Sequence, residues 1–126
     1  MSTRANIVLD SKNYNRIWLY HHWDGYPAYL GKKLMSVLAK DGNVVNEWYR
    51  DSIGLANKFL KDPKDDGFEI TNAQHGDIEY LYKIDTSDRT IRVYKVHGID
   101  DMQMLKCARY DNKDEIADWN DWCDKN

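Results

Sequence analysis

The stretch from His21 to Gly31 constrains the fold most, because the periodicity of the chain changes across it. The preceding run, Arg16 to His21, is rich in the β-branched and aromatic residues that favour a strand. The following run has an apolar stripe at helical spacing, formed by Leu30, Leu34, Val37 and Leu38. Between them, Gly25 can adopt positive φ in a turn, and Pro27 suits the first turn of a helix. The pattern predicts a strand-to-helix junction.

Period-two alternation predicts two β-hairpins. The first joins the apolar run Ile7 to Leu9 to the strand Arg16 to His21 through turn formers at 10–13. The second joins residues 78–84 to residues 90–96 through the polar residues 85–89. Residues 102–108 are interpreted as a fifth strand, with a helical turn as the alternative.

Helical spacing predicts two central helices and a C-terminal helix. The first extends to Gly42, which suits the position after a helix end, and the second begins at Asn43 as its N-cap and ends before Pro63. The apolar positions of the second helix are Val45, Trp48, Tyr49, Ile53, Ala56, Phe59 and Leu60. The acidic tail, 111–126, places Ile116, Trp119 and Cys123 on one helical face.

Together these elements predict an α+β fold in a single domain spanning residues 1–126. We expect a mostly antiparallel sheet of four to five strands, packed by two central helices and a C-terminal helix.

Composition argues against several classes of function. The formal net charge of −3 provides no broad basic surface, so direct nucleic-acid binding is not expected. No apolar run approaches the roughly 20 residues of a membrane span, and the N-terminus lacks the plan of a signal peptide. The two cysteines, Cys107 and Cys123, form no CxxC pair, which favours reduced thiols in a cytosolic protein.

Two histidines and a carboxylate make the junction a candidate for acid–base chemistry. His21 or His22 could transfer a proton, with Asp24 as the partner. Adjacent strand residues point to opposite faces, so the two histidines are not expected to share a metal, and we predict no metal site and no cofactor. The alternative is that Asp24 anchors the turn by accepting N–H bonds from the residues that follow it.

The start of the first helix suggests a ligand site. Its unpaired amides, from 26 to 30, are expected to attract an anion, and the aromatic rings nearby offer faces on which a base can stack. The predicted ligand-binding residues are Arg4, Arg16, His22, Trp23, Asp24, Gly25, Tyr26, Tyr29 and Gly31. This set suits a nucleotide-like or phosphorylated ligand. The alternative is that Gly31 and the aromatics only pack the helix on the sheet.

The N-terminal third of the chain resembles a family of small phage and prophage proteins. The resemblance rests on M-S-T-R at 1–4, on L-Y-H-H-W-D-G-Y-P at 19–27 and on the glycine at 31. Members of that family begin M-x-T-R and have the signature Y-x-[HR]-x-[WYF]-D-G-Y-P-x-x-x-G. This chain matches the signature from Trp23 to Gly31 and has one residue fewer between Tyr20 and Trp23. The later segment 78–82 is also similar.

The resemblance implies an intracellular role in an infected bacterium, in the host cytosol, without implying an activity. Small phage proteins without an enzyme signature often act by binding a host protein or a defence-signalling nucleotide. We therefore predict a binding protein rather than an enzyme, with an anti-defence role. Two alternatives stay open: a small nucleotide or phosphoester hydrolase that uses a His/Asp pair, and a structural or assembly protein. The same aromatics would also suit a homodimer interface.

Overall fold

The computed structural model describes residues 3–12, 14–40, 43–44 and 52–126. The strands are Ala5–Ser11 (β1), Tyr14–His21 (β2), Ala39–Lys40 (β3), Asn43–Val44 (β4), Phe68–Thr71 (β5), Tyr80–Asp85 (β6), Thr90–Gly98 (β7) and Asp101–Arg109 (β8). The helices are Lys32–Leu38 (α1), Ser52–Leu60 (α2) and Lys113–Asp124 (α3), and a π-helical turn at Pro27–Gly31 leads into α1. This composition confirms the predicted α+β class.

The main sheet is mixed and has six strands in the order β5-β2-β1-β6-β7-β8. Both predicted hairpins, β1–β2 and β6–β7, are present, and β8 confirms the strand predicted at 102–108. Two features differ from the prediction of four to five mostly antiparallel strands. The short strand β5 adds an edge beside β2, and β1 pairs with β6 in parallel.

The principal core lies between one face of this sheet and the helices. Inward-facing side chains of the central strands, such as Ile7, Leu19 and Tyr82, pack with Leu34 of α1 and Trp119 of α3. Alternation places the remaining side chains on the opposite sheet surface, which we call the open face. The open face includes Asn6, Val8, Trp18, Tyr20, Leu81, Lys83, Arg92 and Tyr94.

The two central helices differ from their predicted extents. α1 ends at Leu38, and the next residues form a two-stranded pair with β4, so the backbone of Asn43 is in a strand and does not cap a helix. Gly42 and the predicted helical residues 45–51, including Trp48, lie outside the described residues. In α2 the exposed fraction of Ile53 is 47%. The buried residues of this helix are Ser52, Leu55, Ala56 and Phe59.

The C-terminal helix confirms the prediction. The side chain of Asn112 caps it by accepting hydrogen bonds from the amides of Asp114 and Glu115, at 3.0 and 3.1 Å. Trp119 and Cys123 are fully buried on its inner face. Both cysteines of the chain are free. Within the described ranges, we find no helix with the length and apolar character that crossing a membrane requires.

Candidate functional site

The two adjacent histidines at the end of β2 lie on opposite faces of the sheet. His21 points toward the helices and is fully buried, whereas His22 lies on the open face and is exposed. This confirms that strand alternation separates the two rings. Each histidine has its own carboxylate partner, and neither partner is Asp24.

His21 is the centre of a buried polar network with Asp65 and Tyr29. Its Nε2 lies 2.9 Å from Oδ2 of Asp65, and the hydroxyl of Tyr29 donates to the same oxygen at 2.9 Å. The amide of Gly67 donates to the other carboxylate oxygen at 2.9 Å. The second ring nitrogen of His21, Nδ1, faces the carbonyl oxygen of Trp23. A carboxylate and a carbonyl oxygen only accept hydrogen bonds, so both nitrogens of the buried ring face acceptors.

The network shifts the pKa values of Asp65 and Tyr29 in opposite directions. Burial alone would raise the pKa of Asp65, but hydrogen bonds from His21 and from the Gly67 amide outweigh it and hold the pKa of that carboxyl below its usual value. Burial and the hydrogen bond to Asp65 raise the pKa of Tyr29 to about 12. The network therefore joins the end of β2, the 61–67 loop and the π-helical turn. Because the His21 ring is fully buried and both of its nitrogens are engaged, it has no free nitrogen that could act as a general base toward a substrate.

The turn after β2 is formed differently from the sequence expectation. The residue with positive φ is Asp24, at 47°, and the side chain of Asp24 caps no amide of the following helical turn. Gly25 is required for another reason, because a Cβ there would lie 2.8 Å from the Cβ of Ala5. Its carbonyl accepts a hydrogen bond from the hydroxyl of Tyr82 at 2.8 Å. Gly25 therefore packs the turn against the sheet.

Gly31 has a comparable packing role. A Cβ on Gly31 would lie 2.8 Å from Sγ of Cys123, and the Gly31 carbonyl accepts a hydrogen bond from the Trp119 indole at 3.0 Å. The amides of Tyr29 and Leu30 both donate to the carbonyl of Tyr26. The close approach expected at Gly31 is thus to α3, and two of the amides expected to be free for an anion are used within the turn. The rings of Trp23 and Tyr26 stay partly exposed at its surface.

A second polar cluster lies on the open face around Tyr20. Its ring stacks on His75, with 4.1 Å between centroids, and meets the edge of His22 at 4.7 Å. Its hydroxyl donates to Oδ2 of Asp77 at 2.8 Å, and Nε of Arg4 lies 3.6 Å from the same oxygen. Burial and the hydrogen bond to Asp77 raise the pKa of Tyr20 to about 12. Arg4 and His22, both predicted site residues, therefore lie on either side of Tyr20 here, and the backbone of Arg4 also lies beside Gly25.

The middle of the open face combines aromatic rings with cations. Trp18, Val8, Lys83 and Arg92 form one row in register across β2, β1, β6 and β7. Nζ of Lys83 lies 3.8 Å from Asp10 in the next row, which also pairs with Arg16 at 2.8 Å. Arg92 donates to Oγ1 of Thr90 and has no carboxylate partner among the described residues.

Sequence reasoning missed the residues that pair with the histidines. Asp65 is 44 residues from His21, and Glu69, whose Oε2 lies 2.7 Å from Nε2 of His22, is 47 residues from it. The one local signal was the turn-forming dipeptide at 66–67. In the structure Gly67 packs against His21, since a Cβ on Gly67 would lie 2.9 Å from Nε2 of His21. The pairing of β5 with β2 brings Glu69, and the loop that contains Asp65, next to the two histidines.

Compared with known proteins, the chain matches no family model, no curated protein and no solved structure.

Proposed function

We propose that the chain is a non-enzymatic binding protein whose open face takes a nucleotide-like ligand. The observation that supports this most is the row formed by Trp18, Val8, Lys83 and Arg92, in which an indole and two cations lie in register and no carboxylate intervenes. Both Lys83 and Arg92 are partly exposed. An indole face stacks on any base, and lysine and arginine pair with phosphate oxygens.

The spacing suits one nucleotide. Adjacent strands are about 4.8 Å apart, so Trp18 and Lys83, two strands apart, are separated by about 10 Å at the backbone. This is comparable with the reach of a nucleotide from its base to its phosphates. Tyr94, which packs on the apolar patch of the open face from the next row, provides a second ring.

Part of the acidic charge of the chain lies away from this surface. Five of the acids are on α3, which packs against the opposite side of the sheet: Asp114, Glu115, Asp118, Asp121 and Asp124. The open face itself contains three acids that are each paired with a base: Asp10, Glu69 and Asp77. Lys83 also lies near Asp10, so Arg92 is the cation of the row without a carboxylate partner among the described residues. A phosphate oxygen can therefore pair with Arg92 without displacing a carboxylate of the protein.

The resemblance to small phage and prophage proteins supports a biological setting for this binding. We place the protein in the cytosol of an infected bacterium, where it acts as an anti-defence factor by sequestering a defence-signalling nucleotide. The ligand of this proposal is a nucleotide with one or more phosphates.

A thermal-shift screen followed by calorimetry tests the proposal with mononucleotides, linear dinucleotides and cyclic dinucleotides. A ligand present at 100 times its Kd stabilises the fold by about 2.7 kcal/mol. We expect Lys83→Gln to weaken binding about tenfold. Its matched control is Lys32→Gln, because Lys32 is ion-paired to Asp124 on the helix side. A screen without any stabilising nucleotide, or equal losses in the two variants, would contradict the proposal.

A host protein is a second candidate ligand, supported by apolar side chains near the β7–β8 turn. Ile99, Met102 and Met104 are 67%, 39% and 53% exposed. Methionine side chains adapt to varied apolar partners, which suits a protein contact. If the ligand is a host protein, the double variant Met102→Ser and Met104→Ser should no longer co-elute with that protein. The Lys83→Gln variant should still co-elute with it. The opposite pattern would favour the nucleotide.

A further inference from the structure

The strand β8 forms one edge of the main sheet and pairs there only with β7. It has nine residues, whereas the strand at the opposite edge, β5, has four. The outer side of an edge strand presents backbone N–H and C=O groups that can pair with another strand, and proteins commonly protect such edges with a bulge, a charge or a covering element. β8 is therefore the longer of the two edges at which a further strand could be added.

The C-terminal end of β8 is protected in two ways. The backbone amide of Arg109 donates to Oε1 of Glu115 on α3 at 3.1 Å, so this amide is not available to another strand. Leu105 has no register partner on β7 and forms a bulge, which interrupts the regular ladder. The helix and the bulge leave only the N-terminal part of the strand as a regular edge.

That N-terminal part, residues 101–104, has neither protection, and we call it the free edge. All four of its residues are exposed. Among the described residues, its backbone makes no hydrogen bond beyond the ladder with β7. Met102 and Met104 lie opposite Val96 and Tyr94 in register, so they extend the apolar patch of the open face to the edge. A strand added here would cover the methionines and pair with the free backbone groups.

The residues around the free edge are complementary to a second copy of themselves. Asp100 precedes the free edge, and Lys106 follows it by one residue. In an antiparallel pair of identical strands, the start of each strand lies opposite the end of the other. With the two-fold axis at Gln103, Asp100 of one copy lies opposite Lys106 of the other, and Met102 lies opposite Met104. Opposite charges and apolar side chains that face each other across two strands stabilise the pairing.

We propose that a second copy of this chain binds at the free edge, by antiparallel pairing of β8 with β8 about a two-fold axis at Gln103. The same surface is used by both copies, so the contact closes as a dimer. The two main sheets then form one continuous sheet with both open faces on the same side. This interface goes beyond nucleotide binding. Because a host protein at Met102 and Met104 would compete with the second copy, the tests use the purified chain alone.

A cysteine at the proposed axis tests the register. In Gln103→Cys, combined with Cys107→Ser, the two new thiols face each other with Cα atoms about 4.5–5.5 Å apart, a distance that a disulfide spans. We expect a cross-linked dimer under mild oxidation with glutathione. The wild type is the matched control, because its exposed Cys107 is on the same strand but lies roughly 26 Å from its copy in this register. No cross-link in the variant, or equal cross-linking in both chains, would overturn the proposal.

Sedimentation equilibrium tests the pairing of charges between the copies. We expect the wild type to dimerise below about 1 mM and Lys106→Glu to weaken the dimer about tenfold, since it sets an acid against Asp100. Adding Asp100→Lys should restore the dimer. Within one copy Lys106 pairs with Asp118, and both variants lose that pair, so the restored affinity reports the contact between copies. A monomer throughout this concentration range, or no restoration in the double variant, would contradict the interface. Circular dichroism checks that both variants are folded.

Discussion

The imidazole of His21 and the carboxylate of Asp65, 44 residues apart in the chain, form a buried hydrogen-bonded pair with 2.9 Å between Nε2 and Oδ2. It links β2 to a loop that no strand pairing holds. The pair also explains why His21 faces the helices although it is polar, since every polar atom of its ring has a partner.

Asp65→Asn should destabilise the fold strongly. The substitution removes the charged carboxylate to which His21 and Tyr29 are both hydrogen-bonded, and breaking a buried pair from one side costs about 3–5 kcal/mol. Urea denaturation measures the loss. The neighbouring Asp66 is exposed, so Asp66→Asn is the matched control and should change the free energy of unfolding by no more than about 0.5 kcal/mol. Equal effects of the two variants would show that Asp65 has no special partner.

The lowered pKa of Asp65 predicts that the stability of the fold depends on pH. Because the pKa of Asp65 is lower in the folded chain than in the unfolded chain, its contribution is complete above the ordinary aspartate pKa of about 3.9. This contribution of Asp65 to the free energy of unfolding is lost as the pH falls through the pKa that Asp65 has in the folded chain. We therefore expect the difference in unfolding free energy between wild type and Asp65→Asn to narrow below about pH 4. A difference that stays constant into strong acid would contradict the assignment.

Local pattern was sufficient to predict the parts of this fold that depend on neighbours in sequence. The β1–β2 and β6–β7 hairpins and α3 each follow from spacing within about twenty residues. The parallel pairing of β1 with β6 and the edge strand β5 depend on distant contacts that periodicity does not record. β5 is only four residues long and follows a charged loop.

In the candidate site, too, the features that depend on sequence neighbours could be predicted and those that depend on distant contacts could not. The separation of His21 from His22 follows from strand alternation, which is a local property. The partner of each histidine depends on how the 61–71 segment folds back, so Asp65 and Glu69 could not be predicted from the junction itself. The close approach at Gly31 was expected, but its cause is Cys123 on α3, ninety-two residues along the chain.

Gly31→Ala should destabilise the packing of α3 on the helical turn. The new Cβ would lie 2.8 Å from Sγ of the fully buried Cys123, and overpacking of this kind costs about 1–3 kcal/mol. The test is a double-mutant cycle by chemical denaturation. Cys123→Ala removes the clashing atom, so the double variant should be more stable than the sum of the single effects. Additive effects would exclude the contact, and Gly76→Ala, which meets no atom, should be near neutral.

His22→Ala should change stability by less than about 1 kcal/mol, because its pair with Glu69 is exposed. His21→Ala should cost about 3–5 kcal/mol, since the buried Asp65 carboxylate would lose its nearest basic partner and keep only Lys33, at 3.8 Å. Thermal denaturation compares the stabilities of the two variants.

A phosphoester turnover assay on both variants adds a test of catalysis. Hydrolysis by the wild type that His22→Ala abolishes would contradict a purely binding role, because His22 and Glu69 are the accessible His–carboxylate pair on the open face.

Trp18→Ala should weaken nucleotide binding through the loss of stacking. Stacking on an aromatic side chain contributes about 1–3 kcal/mol per base, so the Kd should rise about tenfold or more, while Trp18→Phe should retain most of the affinity. Calorimetry with a nucleotide and with a sugar phosphate that lacks the base distinguishes stacking from a packing effect. Trp18 packs beside Val8, and a packing defect would weaken both ligands equally. Stacking predicts a loss for the nucleotide alone, and Trp122→Ala on the helix side should affect neither.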